Sequence, residues 1–296
     1  MNALHGKLLG NHFAKIFAIS SRYGFDEAKI VRFRKEGRGE GFGADYKPWL
    51  TVRDVPSRGR SHRIAGVVTG RVHHLLSDIE RRAFLIFDFR DDVRDIREQF
   101  PLDLDQTRSI AEAAGIRHPV DSRSRVDLVQ TTDLVIDLER DGRIMTVART
   151  IKPAADLGKP RTIEKLEVER RYWAAQGVDW GIVTERELPP VFCRNLELLQ
   201  GCAMLDDLNQ PFEGYYSERA GLIAAELDRW PTATLQEFCQ AMETRLGLDP
   251  GGALLLVRHL LANKIWRVDM MQPVVETMAM QAFGSTDATE TRRAQR

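Results

Sequence analysis

The sequence predicts an α/β domain with a mixed sheet, followed by a mainly helical domain of winged-helix outline. Three observations carry that prediction. Between residues 21 and 188, stretches with helical apolar spacing alternate with short strand-like runs. Among them, 131-TTDLVIDLERDGRIMTVARTIKP-153 holds two apolar runs joined by a charged turn, a β-hairpin signal with Asp141-Gly142 at its tip. After Pro189-Pro190 the pattern becomes helix, tight turn, helix, short strand.

The elements follow in order. Residues 1–20 read as a leader too broken by Asn11, His12 and Lys15 to be a signal peptide. FDEAKIVRFRKEG is a helix ending at Gly37. The next segment, GRGEGFGADYKPWLTVRDVPSRGRSHRI, has too many turn residues to be regular throughout. LLSDIERRAFLIFDF is helical, with Leu75, Ile79, Ala83 and Ile86 on one face and Ser77 as a cap partnered by Glu80. VRDIREQFPL is a strand, TRSIAEAAGIRH a helix ending at Gly115, and then comes the hairpin. TIEKLEVERRYWAAQG is a patterned helix, and VDWGIVTE a buried strand. These make one domain, residues 21–188. Residues 189–280 form the second, with TATLQEFCQAMETRLG and PGGALLLVRHLLANK as helices and IWRVDM as the strand-like finish. A small helical bundle is the plainer alternative for it. Residues 281–296 read as a disordered tail.

The totals exclude several classes. The 296 residues carry no net charge, so nothing in the sum demands a nucleic-acid partner, although arginine and histidine outnumber acids between residues 53 and 82. Cys193, Cys202 and Cys239 fit neither a CxxC metal site nor a disulfide framework, which suits a reduced, cytoplasmic chain. No run of 18 apolar residues exists, so no membrane partner is expected.

The hairpin brings Asp133, at the start of one strand, beside Lys152, at the end of its neighbour. Phosphodiester hydrolysis needs carboxylates to hold a divalent ion and a cation to stabilise developing charge. Two rigid strands are a good way to fix such groups. The pattern Thr132-Asp133, then Thr150-Ile151-Lys152, resembles the restriction-endonuclease-like nuclease motif, with Glu80 on the preceding helix as a further ligand. Alone, each residue has a plainer role: Glu80 as a cap, Lys152 as a surface lysine, Asp137 as a solvated strand end.

The surrounding stretches EGRGEGFGADYKPWLTVRDVPSRGRSHRI, GRVHHLLSDIE, IREQFPL, TTDLVID, IKPAADL and TIEKLEVERRYW, from about Glu36 to Glu187, together resemble the TnsA family of Tn-seven-like transposons. The resemblance implies a restriction-endonuclease-like domain followed by a winged-helix domain. It implies a bacterial Mg²⁺-dependent endonuclease, with Mn²⁺ as substitute, that cuts the 5′ strands at transposon-end DNA. The implied partners are a TnsB-type transposase and a TnsC-type AAA+ regulator. Catalytic positions then fall on Glu80, Asp133 and Lys152, and ion ligands on Glu80, Asp133, Thr150 and the carbonyl of Ile151. Thr150 departs from the family's best-known form, which has glutamine there. That departure keeps a second reading open, a weakened scaffold bridging TnsB and TnsC, beside a third, a winged-helix regulator with an inert α/β domain.

Arg53, Arg58, Arg60, Arg63 and Arg71 form a basic segment placed to grip phosphates, the plainer reading being that such loops face solvent. His73 and His74 invite a zinc reading, but no third ligand lies at suitable spacing, so phosphate contact or capping fits better. The charges of EKLEVERRYW read as helix-stabilising pairs, with Tyr172 and Trp173 in the core. Arg258 and His259 are placed to meet DNA if their helix is a recognition helix.

Overall fold

The computed structural model describes residues 24–55, 60–206 and 208–286. The leader at residues 1–20 and Arg58 lie outside them. Helix α1 (Glu27–Lys35) starts where the Asp26 carboxylate accepts from Lys29 N at 2.7 Å, and ends in left-handed Gly37. Its Ile30 and Phe33 bury against Trp49.

Strands β1 (His62–Ala65) and β2 (Val72–Leu75) form an antiparallel ribbon that leads into α2 (Asp78–Asp88). The helix begins later than its apolar spacing predicts, because Ser77 caps it: the Ser77 Oγ accepts from Glu80 N at 3.1 Å. Leu75 pairs with His62 in the ribbon, so its helical spacing to Ile79 is coincidental. His73 and His74 likewise lie on a strand.

The central sheet has the order β3-β4-β5-β6. Strands β3 (Val93–Pro101), β4 (Thr131–Arg140) and β5 (Arg143–Ile151) are antiparallel neighbours, and β6 (Asp179–Val183) adds in parallel. This is the mixed sheet the sequence predicts. Asp141 and Gly142 both have positive φ, 51° and 71°, as a two-residue hairpin turn with the strands' own twist requires. Helix α3 (Leu104–Ala113) follows β3, and α4 (Pro160–Ala175) makes the crossover from β5 to β6. β6 is a half-buried edge rather than a buried strand. Asp137 is no solvated strand end: it is buried, and accepts from Arg97 Nη2 at 2.8 Å and Thr146 Oγ1 at 2.6 Å.

One sheet face packs Ile96, Leu134, Ile136 and Val147 against Ala83 and Phe84 of α2 and Leu196 of α5 (Pro190–Leu199). The other packs Val135 and Ala148 against Tyr172 and Trp173 of α4. Each fully buried aliphatic or Phe side chain there contributes about 2 kcal/mol. The strand alternation breaks at one level of this sheet. Glu98 bonds β2, yet Phe100, two residues on, packs on Trp173 of α4. Opposite them, Leu134 joins the α2 face while Thr132 bonds Glu169 on α4. Between lie Gln99 and Asp133, and Gln99 has φ +48°. Residues two apart normally share a face, so this break re-aims the side chains at the sheet's rim.

Beyond α5, helices α6 (Tyr215–Ala224), α7 (Leu235–Leu246) and α8 (Gly252–Ala262) enclose a second core built on Ile223, Phe238, Met242, Leu256 and Trp266. Thr234 caps α7 in a capping box with Glu237, and left-handed Gly247 ends it. Trp266–Arg267 (β7) pairs with Gly284–Ser285 (β8). Of the expected disordered tail from residue 281, Gly284–Ser285 instead form the second strand of this ribbon. Residues 287–296 lie outside the described residues. No residue of α8 is exposed, and His259 Nδ1 lies 2.9 Å from the Cys202 carbonyl. Gly252, Leu255, Arg258 and Ala262 keep a half-exposed stripe along α8, while His259 is tied into the fold.

Candidate active site

The rim of the sheet beside α2 collects the acid and lysine pattern. Asp133 lies at the start of the hairpin's first strand, and its Oδ2 accepts from Ile151 N and from Lys152 Nζ, each at 2.7 Å. Lys152 Nζ also donates to the Ile151 carbonyl at 3.0 Å. Glu80, one turn into α2, accepts from Leu76 N at 2.9 Å and Ser77 Oγ at 3.0 Å. The two carboxylates meet across Gln99, whose Nε2 lies 3.4 Å from Glu80 Oε2 and 3.4 Å from Asp133 Oδ1. Glu80, Asp133, Ile151 and Lys152 are therefore brought together.

Burial and electrostatics set the charges. Desolvation, with the Asp133 charge second, pushes the Glu80 carboxyl up to about 7. Burial works to lower the Lys152 ammonium, but the Asp133 charge and hydrogen bond outweigh it and leave it raised, so the lysine stays protonated. Two carboxylates and one carbonyl offer an all-oxygen donor set. That suits a hard divalent ion that keeps several waters. Among the described residues no group of three or more His, Cys, Asp or Glu could hold a metal, so the third donor of this set is a backbone carbonyl.

Thr150 does not join this set. Its hydroxyl donates to Glu169 Oε1 and accepts from Trp180 Nε1 at 3.2 Å. Both its donor and its acceptor capacity are engaged on the α4 side, which corrects the expectation that it would reach the ion. Thr132 mirrors it: the hydroxyl donates to the same Glu169 oxygen at 2.6 Å and accepts from Trp173 Nε1 at 2.8 Å. Glu169 is buried, and desolvation raises its carboxyl to about 7 against the pull of the two hydroxyls.

The basic segment divides. Arg53, Arg60 and Arg63 are exposed, Arg60 within 3.8 Å of Asp78. Arg71 and His73 are buried structural groups instead. Arg71 donates to both Glu98 oxygens, to the Ile96 carbonyl and to the Gly43 carbonyl. His73, fully buried, sits between Glu98 Oε2 at 2.8 Å and Thr69 Oγ1 at 2.7 Å. Their polar atoms are spent inside the fold, so neither is free for a phosphate. His74 is half-buried, and that burial lowers its imidazole.

Sequence reasoning missed Gln99 and Glu169. For Glu169 a signal existed: Leu166, Glu169 and Trp173 fall at i, i+3 and i+7 on one helix face, so the acid had to be buried. Nothing in REQFP marks Gln99 as left-handed.

Comparison with known proteins gives the chain's relatives. Residues 90–185 match the family model described as TnsA-like endonuclease N terminal, and residues 187–270 that described as TnsA endonuclease C terminal. Over 239 residues the chain is 43% identical to Transposon Tn7 transposition protein TnsA of Escherichia coli, spanning 81% of this chain and 85% of that protein. Asp133 and Lys152 lie inside the first matched range, and Glu80 lies ahead of it.

Proposed function

The chain belongs to the TnsA family of transposition endonucleases, and from that premise we propose that it is the Mg²⁺-dependent subunit that cuts the 5′ strands at transposon-end DNA. The observation that carries this reading is the cluster at the sheet rim: Lys152 Nζ 2.7 Å from Asp133 Oδ2, with Glu80 and Asp133 joined through Gln99. Glu80, Asp133 and the Ile151 carbonyl would hold Mg²⁺, with Mn²⁺ able to replace it. When bound, the ion supplies positive charge that polarises the scissile phosphate. The protein's own groups do the rest. Asp133 fixes the Lys152 ammonium, which stabilises charge developing on the phosphate oxygens. Arg53, Arg58, Arg60 and Arg63 hold backbone phosphates by charge, so binding weakens with salt. A water oxygen bonds to phosphorus as the P–O3′ bond breaks, and a proton ends on the leaving oxygen. The products carry a 3′-hydroxyl and a 5′-phosphate.

In this reading the C-terminal domain is a winged helix adapted to protein contacts with TnsB-type and TnsC-type partners. The order α7, α8, β7 and β8 supports the first part, and the engagement of His259 by the Cys202 carbonyl supports the second. The scaffold alternative drew on Thr150, whose hydroxyl is engaged by Glu169 and Trp180 and so gives no sign of a degraded ion site.

The test is 5′-strand cleavage of transposon-end DNA with both partners and Mg²⁺, comparing wild type with Asp133→Ala. Loss in the variant while 3′-strand joining continues is the expected result. Absence of 5′ cleavage by wild type, with partner binding intact, would establish the scaffold instead.

A further inference from the structure

Gln99 has a side chain whose environment asks for a role. It is 2% exposed, and its backbone φ of +48° lies in the left-handed region that a residue with a Cβ adopts at a cost. Backbone strain of this kind persists where surrounding contacts hold it. In β3 it stands opposite Asp133, between the pairs Glu98–Leu134 and Phe100–Thr132. Its Oε1 accepts from Thr131 Oγ1 at 3.1 Å, which points Nε2 toward the acids. That nitrogen then lies 3.4 Å from one oxygen of Glu80 and 3.4 Å from one of Asp133. Among the described residues it is the one side chain with hydrogen bonds to both carboxylates. Lys152 bonds the other Asp133 oxygen.

We propose that Gln99 is a positioning residue. Its amide spans Glu80 and Asp133 in the ion-free protein, keeps the two acids at a working separation, and gives way when a divalent ion takes up the two carboxylates. Neighbouring buried carboxylates repel, and a neutral NH₂ group has two donors, one for each acid. Contacts of 3.4 Å are weak hydrogen bonds. They restrain the acids without competing strongly against a hard cation. The inference rests on the metal-dependent nuclease reading above.

Removing the amide should raise the free energy of the ion-free form and leave the ion-bound form nearly unchanged. Cation affinity therefore rises. Two weak hydrogen bonds correspond to roughly threefold to tenfold in Kd. The experiment is Mn²⁺ titration of the full chain by calorimetry, with thermal melts at zero and saturating Mn²⁺. The variants are Gln99→Leu, Gln99→Gly and Asp133→Ala. Glycine adopts φ +48° freely, so Gln99→Gly folds even where Gln99→Leu does not, and its strain relief is common to both states. The expected result is tighter Mn²⁺ binding by Gln99→Gly, and a deficit in its melting temperature relative to wild type that is larger without Mn²⁺ than with it. Unchanged or weaker Mn²⁺ binding by Gln99→Gly, with wild type binding and Asp133→Ala not, overturns the role of Gln99 alone. Equal Mn²⁺ binding by wild type and Asp133→Ala overturns the nuclease reading and this inference with it.

Discussion

Replacing Glu98 by glutamine should cost the protein about 3 kcal/mol at pH 7. The carboxylate is fully buried and accepts from Arg71 Nη1 and Nη2, His73 Nδ1 and His74 N. Burial alone would raise its pKa, but the bonds and charges of His73 and Arg71 hold it down to about 2 from 4.5. At about 1.4 kcal/mol per pH unit, that displacement is worth about 3 kcal/mol. Breaking a buried ion pair from one side gives a similar figure, about 3–5 kcal/mol. The sign follows from the depressed value: the contribution is complete above pH 4.5 and is lost as pH falls toward 2. For a chain of this size the melting temperature of Glu98→Gln should drop by roughly 6–12 °C. Function should suffer as well, because this cluster locks β2 to β3. β2 leads into the turn that holds Glu80, and β3 carries Gln99 at the next position. The assay is urea unfolding at pH 7, joined by a double-mutant cycle with Arg71→Gln. A loss below 1 kcal/mol, or strict additivity in the cycle, would refute the reasoning.

Three further outcomes follow from the same geometry. Lys152→Met should keep the fold but lower 5′-strand cleavage by roughly 10²–10³, the usual loss when one stabilising donor goes; residual activity within threefold of wild type would remove the lysine from the chemistry. Glu169→Gln should stabilise the protein progressively above pH 4.5. The raised carboxyl, about 7 in the fold against 4.5, withdraws stability as pH rises through that window, by up to about 3 kcal/mol; unfolding curves at pH 5 and pH 8 that show no difference in the effect of the substitution would contradict it. Gly39→Ala should cost about 2 kcal/mol or more, since φ is +85° and a Cβ there would sit 2.2 Å from Pro101 Cγ; an unchanged thermal melt would show that the loop re-forms around it.

Local periodicity made much of this fold legible. The hairpin, α4, α7 and the capping residue Ser77 follow from side-chain spacing and turn chemistry, which are short-range. What stayed hidden depends on long-range pairing. The ribbon of β1 and β2 is set by strand pairing, and it captured Leu75 from the apparent helix. The second strand of the C-terminal ribbon comes from Gly284–Ser285, a polar stretch with no strand propensity of its own, fixed by its hydrogen bonding to Trp266–Arg267. In the site, Asp133 and Lys152 were visible because they flank one hairpin. Glu80 needed the family resemblance. Arg71 and His73 were misread because a sequence shows their charge and not the Glu98 that consumes it.

Thr150 is a position where the resemblance leads one to expect glutamine, and its surroundings give the threonine a physical sense. Thr132 and Thr150 both donate to one oxygen of Glu169, and each accepts from an indole, Trp173 Nε1 and Trp180 Nε1 respectively. A short hydroxyl can serve as donor and acceptor at once; a glutamine would carry its amide past this point. The threonine therefore belongs to the support behind the site, and the donors proposed for the ion remain Glu80, Asp133 and the Ile151 carbonyl. Thr150→Val keeps the shape and removes the hydroxyl. It leaves Trp180 Nε1 without this acceptor and Glu169 with one donor fewer, at a cost of about 1–3 kcal/mol. The Mg²⁺ concentration giving half-maximal 5′ cleavage should stay within threefold of wild type, because no oxygen is lost from the donor set. A rise of tenfold or more, with stability unchanged, would return Thr150 to the ion.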